Sequence, residues 1–167
     1  MKKYIKSTLL MLLSICLFTA CSDDNDSNPT LVAPTTFVLN TPAITNSVVD
    51  LAQSSAIVLT CTQPDYGFPA STTYSVAVAT KADMSDAVKL STNSTTARIE
   101  LDAKEIAAAL TNIKVEEGAT EADFPMNIPV YFQAEAVITT TMGTAVETSR
   151  IKSNVVSLNK VDLEFSL

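Results

Sequence analysis

From residue 35 onward, the sequence is divided into short segments in which apolar residues alternate with small or polar ones. Successive side chains of a β-strand point to opposite faces, so this pattern is typical of strands that bury one face. Strands are predicted at residues 36–40, 56–62, 73–79, 87–90, 97–101, 128–139 and 147–158. One segment has a helical period instead. It predicts a helix over residues 103–112, with Asp102 as its N-cap and Glu105 as the capping-box partner.

This series of strands, with one helix inserted late, predicts an all-β fold in which two sheets form a sandwich. A small open barrel is the alternative, and it is disfavoured because strands of unequal length close poorly. Residues 64–69 and 115–127 are predicted loops, and Met142 with Gly143 is a predicted turn. On the strands, Ile57, Leu59 and Cys61 are expected to share the inward face.

The N-terminus has a different character. Residues 1–20 combine a basic start, a short apolar run and a small residue at Ala20, which is typical of a secretory signal peptide. The apolar run is too short for a helix that crosses a hydrocarbon layer of about 30 Å. Thr19, Ala20 and Cys21 resemble the lipobox of bacterial lipoproteins, which implies a lipid anchor on Cys21. The alternative is an ordinary secretory signal with a chance cysteine at the junction.

Residues 21–34 begin with a polar, acidic run that is too poor in apolar groups to fold, so a flexible tether is predicted. An acidic run directly after a lipidated cysteine also resembles the export signal of surface lipoproteins in Gram-negative glycan-utilisation systems. The resemblance implies exposure at the cell surface. A solvated spacer that faces the periplasm is the alternative.

The charge and composition exclude several classes of function. Three of the 11 basic residues precede Cys21 while all 18 acidic residues follow it, so a chain cleaved there carries 8 − 18 = −10. Such a charge repels nucleic acid, and no nucleic-acid partner is expected. The sequence has no histidine, which excludes histidine-dependent triads and removes the commonest metal ligand. We therefore predict no catalytic residue, no metal and no cofactor.

Two loop aromatics, Tyr66 and Phe68, are the candidates for glycan binding, because they flank Gly67 in a predicted loop that would display them. The alternative is that they cover one end of the core. Phe124 and Tyr131 are weaker candidates. Cys61 is predicted to be a small buried hydrophobe, and the carboxylates at 116–117, 121 and 123 are predicted to be solvated, with no catalytic or cation-binding role.

Four segments resemble the N-terminal domain of SusE-type outer-membrane lipoproteins: AIVLTCTQPDYGFPASTTYSVAVAT (56–80), ARIELDAKEIAAAL (97–110), VYFQAEAV (130–137) and SNVVSL (153–158). The resemblance implies an immunoglobulin/fibronectin type III-like two-sheet sandwich with one short inserted helix over residues 35–160. Residues 161–167 are then expected to be an added edge strand or the stub of a following domain. More distal domains of such proteins usually carry the glycan-binding aromatics.

The resemblance also implies a function. We expect a non-catalytic, lipid-anchored outer-membrane protein of a starch-like glycan-utilisation system, which acts as a spacer or docking module at the cell surface. Its expected partners are the outer membrane, a TonB-dependent importer and surface glycan-binding lipoproteins. The alternative is a carbohydrate-binding module that contacts a polysaccharide through Tyr66 and Phe68.

Overall fold

Seven strands and one α-helix make up the part of the chain that the computed structural model describes, residues 30–166. The predicted signal peptide, Cys21 and most of the predicted tether lie outside these residues. The elements are β1 (Val48–Asp50), β2 (Ala56–Thr60), β3 (Thr72–Ala79), β4 (Val88–Ser94), β5 (Arg98–Asp102), α1 (Ala103–Glu116), β6 (Met126–Ile138) and β7 (Ile151–Leu163). Two short 3-10 helices cover Glu121–Asp123 and Glu147–Ser149.

The strands form two sheets, and the predicted all-β sandwich is confirmed. The larger sheet has the order β1-β7-β6-β3-β4, and the smaller sheet consists of β2 and β5. All pairs of strands in the two sheets are antiparallel except β1 and β7, which run parallel. The apolar faces of both sheets and of α1 belong to one hydrophobic cluster, because each element buries only one of its faces.

The predicted inward faces are the buried ones. Ile57, Leu59 and Cys61 are at most 7% exposed. On β3 the inward residues alternate with small outward ones, and on β6 Val130 and Phe132 are fully buried. The period of two in the sequence therefore corresponds to the pleat of these strands.

Helix α1 begins where the sequence predicts and ends later. The Asp102 carboxylate accepts a hydrogen bond from the backbone N–H of Lys104 at 2.8 Å, so the predicted N-cap is confirmed. The predicted capping-box role of Glu105 is wrong. Its carboxylate accepts instead from the backbone of Ser91 and from the Thr92 hydroxyl on β4.

The helix continues to Glu116 and does not end near residue 112. Ile113 extends the buried stripe of α1 by another turn and is 4% exposed. Gly118 follows at φ +101°, a conformation that stops a helix and that glycine adopts without strain. The predicted loop over 115–127 therefore contains the last turn of α1, a 3-10 helix and the first residues of β6.

The first predicted strand, 36–40, is reduced to a single bridge between Leu39 and Cys61. The Asn154 side chain of β7 takes the place of a neighbouring strand. Its Oδ1 accepts from the Leu39 N–H at 2.9 Å and its Nδ2 donates to the Leu39 carbonyl at 3.0 Å. The chain then turns at Pro42 and forms β1 beside β7, a strand that the sequence pattern did not indicate.

One of the two expectations for the last residues, an added edge strand, is wrong for residues 161–163. Residues 161–163 are the end of β7, which lies between β1 and β6 inside the larger sheet. Val161 is 1% exposed and Leu163 is fully buried. Beyond β7, the ring of Phe165 packs edge-on against Phe124 with centroids 5.4 Å apart. Burial of these side chains makes residues 161–165 part of the domain.

Candidate functional site

The loop over residues 63–69 holds both aromatic candidates for glycan binding. Its turn is set by Gly67 at φ +82°, and the Asp65 carboxylate accepts a hydrogen bond from the Gly67 N–H at 2.8 Å. The N-terminal segment lies against the loop, because the Val32 N–H donates to the Tyr66 carbonyl at 3.0 Å. The loop is therefore fixed by a hydrogen bond within its own turn and by another to the segment that precedes the sandwich.

Tyr66 lies in the interior. The residue is 1% exposed, and its hydroxyl has no hydrogen-bond partner among the described residues. Burial, with a smaller contribution from Tyr74 nearby, raises the pKa of Tyr66 to about 12. A sugar ring stacks on an accessible aromatic face, and the structure leaves no such face on Tyr66. Its position is that of a residue that covers the end of the core.

We expect Tyr66→Phe to raise the free energy of unfolding by about 1 kcal/mol, because the change removes a buried hydroxyl that has lost its water without gaining a partner. Equilibrium urea unfolding measures the difference. Tyr131→Phe is the matched control, since Tyr131 is half-buried on an outward face, and it should change stability by less than about 0.5 kcal/mol. Destabilisation by Tyr66→Phe would contradict this expectation, because it would show that the Tyr66 hydroxyl has a hydrogen-bond partner in solution.

Phe68 is half-buried and lines an open surface depression of about 440 Å³ together with Gln63, Asp65 and two prolines. Part of its ring is accessible, so a glycan contact through Phe68 stays a prediction. The other two aromatic candidates differ from each other. Phe124 packs against the core and Phe165, whereas Tyr131 points outward from β6.

Cys61 has the environment of a core residue. It is 7% exposed, its thiol lies 3.6 Å from the Ala97 carbonyl, and burial raises its pKa to about 11. A thiol is nucleophilic only as the thiolate. At neutral pH the Cys61 side chain is therefore a protonated, enclosed group with no access to a substrate.

Two of the four carboxylates near the end of α1, Glu117 and Asp123, are engaged in structural contacts. Glu117 pairs with Lys114 at 2.8 Å and with Lys81 at 2.9 Å, and these bonds lower its pKa. The Asp123 carboxylate accepts from the Thr120 N–H at 2.7 Å and from the Thr120 hydroxyl, which lowers the pKa of Asp123. A general acid of a glycosidase needs the opposite shift. Within residues 30–166, no group of three or more Cys, Asp or Glu side chains could hold a metal ion.

A separate cavity of about 220 Å³ lies on the outer face of the larger sheet, and the sequence analysis did not identify it. We call it the sheet-face cavity; its side chains of interest are Ser75, Lys89, Gln133, Glu135 and Lys152. These residues lie on β3, β4, β6 and β7. Their outward direction follows from the alternation in the sequence, but their proximity depends on the register of four strands.

A family model described as "SusE outer membrane protein" matches residues 23–127, which is more than half of the chain. Two of the segments quoted above, 130–137 and 153–158, lie beyond that match. A solved structure described as "Ca2+-stabilized adhesin helps an Antarctic bacterium reach out and bind ice" is 15% identical and has a TM-score of 0.34. The match covers 80% of this chain and 25% of that one, and at this TM-score it carries no argument. None of the helices in residues 30–166 has both the length and the apolar character needed to span a membrane.

Proposed function

The chain belongs to the SusE outer membrane protein family, and from this premise we propose that it is a lipid-anchored spacer or docking module beside a glycan importer. The family's role lies in outer-membrane glycan utilisation, and its members are non-catalytic accessory proteins. The proposal adds the anchor on Cys21, the position at the cell surface and the partners. These are a TonB-dependent importer and surface glycan-binding lipoproteins.

One structural observation supports the docking role best: the most enclosed loop aromatic and two carboxylates near the end of α1 serve the fold and do not line a ligand cleft. Tyr66 is buried inside the protein. The Glu117 carboxylate pairs with lysine side chains, and the Asp123 carboxylate accepts a hydrogen bond from the backbone N–H of Thr120. What the domain offers to a partner is a rigid outer surface, since the two sheets, α1 and the chain end share one core. Such a surface is better suited to contact with a partner protein than to catalysis on a bound substrate.

The proposed anchor requires no spanning helix. Each methylene of an acyl chain that enters the membrane contributes about 0.8 kcal/mol, so two or three chains on Cys21 hold a protein stably on a membrane. Each of the three cysteines of the sequence has a different place in this proposal. Cys16 lies in the proposed signal peptide, Cys21 follows it, and Cys61 is enclosed in the core.

We expect Cys21→Ser to abolish incorporation of labelled palmitate and to release the protein from the outer-membrane fraction. The measurement is palmitate labelling of cells that express the chain, followed by membrane fractionation. Cys61→Ser is the matched control, because the buried Cys61 cannot be the acceptor, and it should keep both the label and the location. Labelling that survives Cys21→Ser would contradict the anchor.

The docking role is tested on the same material by affinity purification from detergent extracts of the native host. Recovery of a TonB-dependent importer or a surface glycan-binding lipoprotein with the chain supports the role. The comparison with Cys21→Ser shows whether the shared membrane is needed. A chain that is lipidated but recovers neither partner would remove the docking role and leave the anchor standing.

A carbohydrate-binding module is the second candidate, favoured by the partly exposed ring of Phe68 in its open depression. Contact with one aromatic ring gives weak binding unless hydrogen bonds add to it. Affinity electrophoresis in gels that contain starch separates the two functions. Retarded migration favours the binding module, and unchanged migration leaves the docking role as the better account.

A further inference from the structure

The outer face of β3 is a shallow channel in the larger sheet. Its outward residues are all small, namely Thr73, Ser75, Ala77 and Ala79. The neighbouring strands carry longer outward side chains, with Lys89 on β4 and Gln133 and Glu135 on β6. Small residues between long ones leave the sheet-face cavity over the floor of β3.

The register of the strands brings its polar groups together in two rows. Ala77 lies between Lys89 and Gln133 in one row. In the next row Glu135 lies between Ser75 and Lys152. Residues two apart on a strand point to the same face. All of these side chains therefore face the same side of the sheet.

Two of these groups have no partner within the described residues. Ser75 is 94% buried, being 6% exposed, and its hydroxyl makes no hydrogen bond to residues 30–166 although it lines the cavity. Lys152 is exposed at the rim and forms no ion pair within that range. The Ser75 hydroxyl oxygen is not among the enclosed, unpartnered polar atoms of the described residues, so it is open to the cavity. A ligand in the cavity can therefore accept its hydrogen bond.

The polar groups around the cavity are held in place. Gln133 donates its Nε2–H to the Ser153 carbonyl at 2.9 Å, which orients the amide. Arg150 forms two hydrogen bonds to Glu147, at 2.6 and 2.8 Å, and a third to Glu135. Lys89 lies 3.6 Å from the same Glu135 carboxylate. The site is thus pre-organised, which lowers the entropy cost of binding.

The local charge is positive on an acidic protein. Residues 30–166 contain 8 basic and 15 acidic residues, yet the cavity and its rim combine three cations with two carboxylates. Lys152 is not neutralised by an ion pair within the described residues. An anion beside Lys152 would gain a charge-assisted hydrogen bond without breaking the Arg150–Glu147 pair, while Lys89 and Arg150 offset the charge of the nearby Glu135.

We propose that the sheet-face cavity binds a single sugar unit that carries a carboxylate or sulfate group, as in an acidic glycan. Lys152 contacts the anionic group, Ser75 donates a hydrogen bond to it or to a ring hydroxyl, and Gln133 pairs with a hydroxyl. That the anion belongs to a glycan rests on the proposed function. The preference for an acidic unit rests on the cations and on the unpartnered hydroxyl.

The test is isothermal titration calorimetry of the full chain, purified in detergent, at about 0.15 M ionic strength, where the Debye length is about 8 Å. The probes are a galacturonate trimer, a carrageenan tetrasaccharide, which carries sulfate and no carboxylate, and neutral maltotriose. We expect one or both acidic probes to bind and maltotriose to bind at least about tenfold more weakly, a difference of about 1.4 kcal/mol. The two acidic probes show whether carboxylate or sulfate is the recognised group.

Lys152→Gln should weaken binding of the acidic probe about tenfold, and Lys160→Gln is its matched control. Both residues are exposed lysines on β7, so each change removes the same charge from the same strand. Lys160 lies outside the sheet-face cavity, and its removal should change affinity by less than about twofold, as expected of a distant charge screened by salt. Equal losses for the two variants would show non-specific attraction and overturn the proposal.

Ser75→Ala adds an independent readout, because it removes the unpartnered hydroxyl without changing the charge. It should weaken binding of the acidic probe severalfold while the melting temperature stays nearly constant, because the removed hydroxyl is open to the cavity. No binding of either acidic probe, or equal binding of maltotriose, also overturns the proposal. These titrations use purified components, so their failure is distinct from a failure to recover the importer.

Discussion

Replacing Phe132 with alanine is expected to lower the free energy of unfolding by about 3–5 kcal/mol. Phe132 is fully buried on β6, and its strand neighbours in register are Val78 of β3 and Val156 of β7. Removal of the ring loses its transfer free energy and leaves a cavity between the sheets. Because β6 lies in the middle of the larger sheet, the surrounding strands have little freedom to close that cavity.

Equilibrium unfolding in urea measures this loss, with Tyr131→Ala as the control. Tyr131 is the preceding residue on the same strand, but it points outward and is half-buried. Its truncation should cost less than half as much, since little cavity is created. Similar losses at the two positions would mean that the faces of β6 are assigned wrongly.

Truncation of the chain after Lys160 is expected to lower the free energy of unfolding by about 3–6 kcal/mol. The deletion removes Val161 and Leu163, which are 1% and 0% exposed. Burial of each such side chain contributes about 1.5–3 kcal/mol. The deletion also removes two of the three residues of β7 that pair with β1. A loss of this size is a large part of the stability of an ordinary domain.

The control is truncation after Glu164, which keeps β7 complete and removes the Phe165 ring from its contact with Phe124. It should cost clearly less than the longer deletion, as measured by thermal unfolding followed by circular dichroism. If the chain truncated after Lys160 were as stable as the full chain, residues 161–163 would be the stub that the sequence suggested.

The alternation of apolar and polar residues was enough to predict the strands that carry the core. Strands β2, β3, β5 and β6 and the start of α1 lie within three residues of their predicted positions. The buried face of each of these elements can be predicted from the sequence, because one of its faces is apolar and the other polar. The N-cap at Asp102 was predictable for a related reason, since it depends on a contact only two residues away.

Features that depend on distant residues were not predictable. Glu105 has the spacing of a capping box, yet it bonds to β4, a strand that the sequence cannot place beside it. Strand β1 has three residues, too few to show a period, and is defined by its pairing with β7. The sheet-face cavity is a similar case. Ser75 and Lys152 are placed on either side of Glu135 only by the pairing of β3, β6 and β7.

The parallel arrangement of β1 and β7 determines how the domain responds to tension. Val48, Val49 and Asp50 pair with residues 160–162, near the C-terminal end of β7. When the N-terminal end of β1 and the C-terminal end of β7 are pulled apart, the two parallel strands slide past each other, and the ladder between them is loaded in shear. All of its bonds then resist together, whereas in an unzipping geometry they would open one after another. Tension between these two strands is therefore carried by the whole ladder at once, and the core beneath it stays closed.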